Sequence, residues 1–330
     1  MATISAATFN QIQQRAASVL GGGGYPPGVT QIPANADSRY GYGQSVASTT
    51  VLAGSVIRAT SWINLRTDLA KARTHQIGSV GTGTGQGPAW ANLANIGAGT
   101  VISNAIVTQY QGLSAQLVTD RFTAFSSQLG STSVNSVRTA TWGTTALTHS
   151  ARVTFTDATQ ARYYFNAGGS IKYSATLTGG GLLPAGVGAV LGNLAKYNAW
   201  VNTLSGMGTL TFAVNQSSTT FGAFTVTKTG GTGTVTSITL SAVDQVIYTT
   251  TQSSPYATNT LTVTAKYITT TPYVVEITAV YTDGAAGAAT GIGPAVDELV
   301  DGTLTGTATI TPIQGAFAIT PTIANNLTIT

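Results

Sequence analysis

This chain of 330 residues has no cysteine, two histidines, two methionines and few ions: 14 Lys and Arg against 10 Asp and Glu. Each shortage removes a class of chemistry. Without cysteine there is no disulfide framework, no thiolate nucleophile and no Cys-ligated metal. His75 and His149 form no HxxxH or HExxH pair, so a zinc site of three or four ligands lacks its usual donors. The ten acids show no evident carboxylate pair of the kind a glycosidase needs. No stretch approaches the roughly 18 apolar residues of a membrane span, and the first residues lack the basic and apolar segments of a signal peptide. The expectation is a soluble, unprocessed chain with no membrane insertion, no cofactor and no metal.

What is present is apolar and neutral. Charged residues make up 7% of the chain, where an average soluble protein has about 25%. Apolar residues reach 42%, which separates it from disordered chains. Thr, Ser, Gly, Asn and Gln must therefore cover the surface. Such surfaces suit contact with copies of the same chain, because burying a hydroxyl or amide costs far less than burying an unpaired ion. The net charge of +4 is unevenly placed, with ten of the fourteen bases in residues 1–170. The densest basic run, Arg66, Lys71 and Arg73, is interrupted by Asp68 and reads as a solvated helix face, so no nucleic-acid partner is expected. Gly81 to Gly87, GTGTGQG, lacks the strand, helix and Lys-Ser/Thr of a phosphate loop and reads as a linker. Asp297, Glu298 and Asp301 read as a solvated acidic loop.

The chain divides by periodicity. Residues 3–20, 56–75 and 102–122 place apolar side chains at helical spacing. Aligned on Ile4, Ile57 and Ile102, these segments put Phe9, Trp62 and Val107 five residues on, and Ile12, Leu65 and Tyr110 eight residues on. That is an internal repeat, each copy unable to bury its stripe alone. Long Gly-rich linkers run from Gly21 to Tyr42 and from Gly78 to Gly99, and their Tyr25, Tyr40, Tyr42 and Trp90, with Trp62, are candidate assembly contacts. From residue 131 the period becomes two. Strands are expected over 134–142, 151–156, 170–178, 208–214, 219–228, 234–242, 245–252, 260–267, 273–281, 302–311 and 316–323, with one inserted helix at 189–205. The fold class is thus α+β, mainly β: a helical repeat and Gly-rich arm region over 1–130, then an antiparallel, sandwich-like region over 131–330.

One stretch organises the rest. From His149 to Thr178 two alternating arms flank a short helix, 158–166, capped by Asp157 and ended by Gly168-Gly169. Tyr164, Phe165, Gly168 and Gly169 form a candidate structural corner whose aromatics are core.

RYYFNAGGSIKYSA in this stretch, with NAWVNTLSGMGTLTFAVNQ from Asn198, GYGQSVAS from Gly41 and SWINLRTDLAKARTHQIG from Ser61, resembles a virion structural protein family of tailed bacteriophages. The resemblance is spread over positions 1–215, and its most specific element is Tyr-Phe-Asn-Ala-Gly-Gly. It implies a virion location after assembly in the host cytoplasm and a non-enzymatic, homo-oligomeric part of the tail, neck or fibre apparatus, with copies of itself and other virion proteins as partners. The alternative is a receptor-binding or capsid-decorating virion protein that meets a host surface glycan through residues such as Tyr248, Tyr256 and Tyr267. A tail-associated polysaccharide hydrolase is the third reading, and the want of an acid pair makes it the weakest.

Overall fold

The computed structural model describes residues 4–21, 41–78, 96–97, 99–143, 145–180, 191–215, 222–285 and 299–329. Over these the protein is mainly β with some helix: five α-helices and eleven strands in two antiparallel sheets.

Three helices come first: α1 (Ala6–Leu20), α2 (Ala59–Ile77) and α3 (Asn104–Thr119). The hydroxyl of Ser5 accepts from Thr8 N and that of Ser103 from Ile106 N, satisfying backbone donors that a helix start leaves open. Helix α2 begins after Arg58 without such a cap and ends at Gly78, whose φ of +84° favours glycine. The apolar stripes meet in one core. Phe9, Ile12, Trp62, Leu65, Val107 and Tyr110 are all buried, and Trp62 takes Phe9 and Tyr110 edge-on, each with ring centroids 5.1 Å away.

Contacts advance together along the helices. Trp62 of α2 meets Tyr110 of α3, and further on Gln76 Nε2 donates to Leu117 O at 2.9 Å. The helices therefore run side by side in one direction, and the chain must return between them. Residues 42–51 make that return along α1: Gln44 N donates to Leu20 O, Gln13 Nε2 to Ser48 O, and Val51 N to Asn10 Oδ1. The strap has no strand partner, so side chains supply one. Asp68 of α2 accepts from Ala47 N at 2.9 Å and Ser48 N at 2.7 Å, and also from the Ser48 hydroxyl.

The expected solvated basic face is corrected here. Asp68 and Arg73 are both buried, Asp68 on the strap and Arg73 paired with Asp120 beyond α3, because backbone donors and a counter-ion compensate their loss of water. Replacing Asp68 by Ala leaves the buried Ser48 N–H without an acceptor, at a cost of about 1–3 kcal/mol, and frees the less buried Ala47 N–H as well. Urea denaturation of the variant is expected to show that loss, and Asp68→Asn, which keeps one acceptor oxygen, a smaller one.

The first sheet has the order β1-β10-β3-β4-β5-β6: β1 (Thr132–Arg138), β3 (Ile171–Thr178), β4 (Thr209–Val214), β5 (Ala223–Thr229), β6 (Ile238–Thr239) and β10 (Thr303–Ile310). The second has the order β11-β2-β9-β8-β7: β2 (Ala146–Phe155), β7 (Gln245–Thr251), β8 (Thr260–Thr270), β9 (Tyr273–Thr282) and β11 (Thr322–Leu327). Alternation gives most strands a buried face, strictly so in β10, where Leu304, Gly306, Ala308 and Ile310 point in and Thr303, Thr305, Thr307 and Thr309 point out. The short helix α4 (Ala158–Asn166) joins β2 to β3, and α5 (Leu191–Met207) precedes β4.

Three expected strands depart from their sequence pattern, the first being 134–142, which pairs as Thr132–Arg138. In 234–242 only Ile238–Thr239 pair as strand, because the segment passes between sheets: Thr236 N donates to Ile247 O and Leu240 N to Gly222 O. In 316–323 the strand starts at Thr322. Gly315–Phe317 instead form a 3-10 turn that turns Phe317 inward against Tyr42 and His75, at 5.5 and 4.6 Å between ring centroids. Burial of the aromatic overrides local strand propensity there.

Candidate functional site

The corner ties the helices to the sheets. Asp157 accepts from Gln160 N at 2.8 Å and starts α4, and Gly168, at φ +92°, ends it. A Cβ at Gly168 would stand 2.8 Å from Ala124 Cβ, and one at Gly169 would stand 2.6 Å from the Tyr164 ring, so neither position has room for a side chain. Tyr164 is buried, and its phenol donates to Ser170 O at 2.7 Å and accepts from Thr311 N at 3.0 Å. Phe165 closes an aromatic cluster with Phe155, Phe212 and Phe224, which draws on β2, β4 and β5. On its other side the corner reaches the helices: Asn166 Nδ2 donates to Gly41 O and His75 Nε2 to Ala167 O.

Of the expected assembly contacts, Tyr42 and Trp62 lie inside this chain. Tyr42 is fully buried, with its phenol on Arg121 O, and Trp62 is 1% exposed. Neither side chain is available to another copy, since each completes the core beneath its own helices. Tyr25, Tyr40 and Trp90 lie outside the described residues, as do Asp297 and Glu298.

Both histidines are buried. His149, expected at the start of a strand, sits within β2 and faces the space between the sheets. Asn325 Nδ2 donates to Asn135 O, so its Oδ1 is the acceptor facing His149 Nε2 at 3.0 Å. His149 is then the neutral Nε2–H tautomer, with Nδ1 accepting from Tyr173 Oη at 3.1 Å, and Tyr173 Oη accepting from Tyr281 Oη at 2.6 Å. This chain links β11, β2, β3 and β9. Gly306 of β10 makes room for it: a Cβ there would collide with the His149 ring and stand 2.9 Å from Tyr173 Oη. Burial pushes the phenols of Tyr173 and Tyr281 upward and the imidazoles of both His75 and His149 below 6.5.

That depression predicts acid sensitivity. Below pH 6.5 the unfolded chain binds more protons on the two histidines than the folded chain does, so stability falls as pH falls. The loss is expected to grow steadily between pH 7 and pH 5.5. Urea midpoints at the two pH values check this, and His149→Asn should flatten the profile.

An open groove of about 520 Å³ lies between α5 and the segment that follows β7. Asn198, Asn202 and Thr203 form the α5 wall, and Thr249 to Tyr256 form the other, with Thr232 and Gly233 at one end. Tyr248 and Tyr256 both line it, while Tyr267 lies away and stacks on Tyr273 at 6.0 Å. The walls are joined underneath. Lys196 of α5 pairs with Asp283 at 2.7 Å, both side chains 0% exposed, and Lys196 Nζ also donates to Ala285 O at 2.9 Å. Ala285 N donates to Asn259 Oδ1 at 2.8 Å, and Asn259 Nδ2 to Gln252 Oε1 at 3.2 Å. Sequence reasoning placed the inserted helix and two of the tyrosines, but not this buried chain. A lysine in a helix and an aspartate at a strand end about ninety residues later carry no local sign that they meet.

Among the described residues the groove lining holds no carboxylate, imidazole or amine, and its titratable groups are two phenols. Among the described residues no group of three or more His, Asp or Glu side chains is placed to hold a metal ion, and no helix is long and apolar enough to cross a membrane. Comparison with protein-family models, curated proteins and solved structures finds no match for this chain.

Proposed function

We propose that this chain is a non-enzymatic structural protein of a tailed-bacteriophage virion, a homo-oligomeric component of the tail, neck or fibre apparatus whose partners are its own copies and other virion proteins. The observation that carries this reading is the outer face of the first sheet. Outward positions there read Ser133 and Asn135 on β1, Thr305 and Thr307 on β10, Ser174 and Thr176 on β3, and Thr225 and Thr227 on β5, with Val137 and one cation, Lys172, beside them, while the ionic row Arg152, Glu276 and Lys266 lies on the second sheet. Neighbouring hydroxyls join in ladders, as between Ser133 and Thr309 at 2.8 Å and between Thr249 and Thr262 at 3.2 Å. Several of the chain's few ions are spent inside, at Asp68, Arg73, Lys196 and Asp283. A neutral hydroxyl face loses little when it is covered by a second copy, whereas an ionic face would have to shed bound water.

In this reading the two sheets form a β-sandwich. Its interior holds the Asn325–His149–Tyr173–Tyr281 chain, and its sides are closed by Ile329 N on Ser136 Oγ and by Tyr267 N on Ser241 O. The three helices are copies of one repeated unit. Each begins two residues after the aligned Ile4, Ile57 and Ile102, and its inward residues fall at the same offsets. Their leading turns also carry Leu52, Val56 and Val101, each more than three-quarters exposed. These residues supply the apolar contacts that the buried Tyr42 and Trp62 do not.

The reading is tested by mass spectrometry of gradient-purified virions from a lysate that encodes this chain. Recovery at a fixed, many-copy ratio to the other particle proteins is expected. Its absence from particles while abundant in the lysate would sink the reading.

A further inference from the structure

We propose that the groove between α5 and the segment after β7 is a binding site for a neutral oligosaccharide. The assembly reading neither requires this site nor depends on it.

The first argument is the chemistry of the lining. Asn198 and Asn202 present amides from one turn to the next on the exposed face of α5, opposite the hydroxyls of Thr250, Thr251 and Ser253. Amides and hydroxyls both donate and accept, as every sugar hydroxyl does. A phosphate, nucleotide or acidic sugar would call for a cation. One cation stands at the rim, Lys228, whose ammonium donates to Gly206 O and Thr232 O and lies 5.9 Å from the Tyr248 ring centroid. It is occupied in holding the end of α5 to the turn before β6.

The second argument is a donor without an acceptor. Gln252 lines the groove at 8% exposure, and its Nε2 has no hydrogen-bond partner among the described residues. The orientation of its amide is fixed by neighbours. Asn259 Oδ1 is taken by Ala285 N, so Asn259 Nδ2 is the donor facing Gln252, and Gln252 must present its oxygen there. The Gln252 nitrogen is therefore turned away from Asn259 and left free to donate. Buried polar groups are satisfied in the great majority of cases, and a small turn of the Gln252 amide toward the groove would give this covered nitrogen an acceptor on a ligand.

The third argument is rigidity. The ion pair and hydrogen bonds from Lys196 through Asp283, Ala285 and Asn259 to Gln252 join the two walls below the floor, so the spacing of the amides is set before any ligand arrives. Preorganised walls reduce the entropic cost that makes sugar binding weak. A volume of about 520 Å³ falls within the range of about 300–1,000 Å³ usual for ligand sites.

The test is an array of neutral oligosaccharides derived from starch, cellulose and chitin, beside sialylated and sulfated ones, with hits re-measured by isothermal titration on the full chain. Binding of a neutral series is expected. Asn198 and Asn202 are exposed on a helix, so the double variant Asn198→Ala, Asn202→Ala keeps the wild-type urea midpoint, and it should bind about tenfold more weakly or worse. No neutral binder, preference for the acidic probes, or an unchanged affinity in the double variant would each overturn the proposal. An outcome against the groove leaves the presence of the chain in virions as a separate question.

Discussion

Replacing Lys196 by Met is expected to destabilise the protein by roughly 3–5 kcal/mol, the largest loss for any change to a single polar side chain here. Lys196 and Asp283 are wholly removed from water, so loss of the ammonium takes a counter-ion from a buried carboxylate. The same change releases Ala285 O, and with it one anchor of the wall that carries Gln252. The double variant Lys196→Met, Asp283→Leu separates the two effects. Removing both charges leaves no such carboxylate, and buried pairs replaced by apolar residues of similar volume are often neutral in stability. The expected result is a single variant with a sharply lowered urea midpoint and a double variant that recovers most of it. A double variant as unstable as the single one would mean that packing, and not charge, is what Lys196 supplies.

Trp62→Ala is expected to cost about 3–5 kcal/mol. The indole stands at the centre of the three-helix core, edge-on to Phe9 and Tyr110, and its removal leaves a cavity that three parallel helices cannot close without moving the strap between α1 and α2. Far-UV circular dichroism through a urea titration should show the helical signal lost at lower denaturant than in the wild type. This result also separates two roles for the residue. If Trp62 served as a contact between copies, the variant would lose association and keep its stability; the structure predicts the reverse.

Local pattern was legible wherever one element could be read alone. The three first helices follow from the aligned apolar stripes, and α4 follows from Asp157 and the glycine pair, with its expected bounds. Alternation located most strands, since most bury one face and expose the other, but their bounds moved at β1, β2, β6 and β11. The losses came where a residue's partner is distant in the chain. Asp68 looked like an ordinary surface acid among bases, because its acceptor role depends on a strap that passes twenty residues earlier. Tyr42 and Trp62 looked like sticky surface aromatics, because nothing local shows which side of a linker or stripe is already covered. Phe317 departed from its strand pattern because Tyr42 and His75 offered it a better-buried place. The groove was half legible: its tyrosines were visible as residues, but the buried chain that spaces its walls was not.

Sedimentation velocity over a concentration series tests most directly whether the hydroxyl-rich face of the first sheet is shared between copies. The wild-type chain should sediment as a defined assembly several times its 33.5 kDa mass. Thr305→Lys with Thr307→Lys puts two charges on the outward face of β10, and it should sediment as a monomer while keeping the wild-type urea midpoint. A wild-type chain that stays monomeric at every concentration, or a charged variant that assembles as the wild type does, would contradict the account.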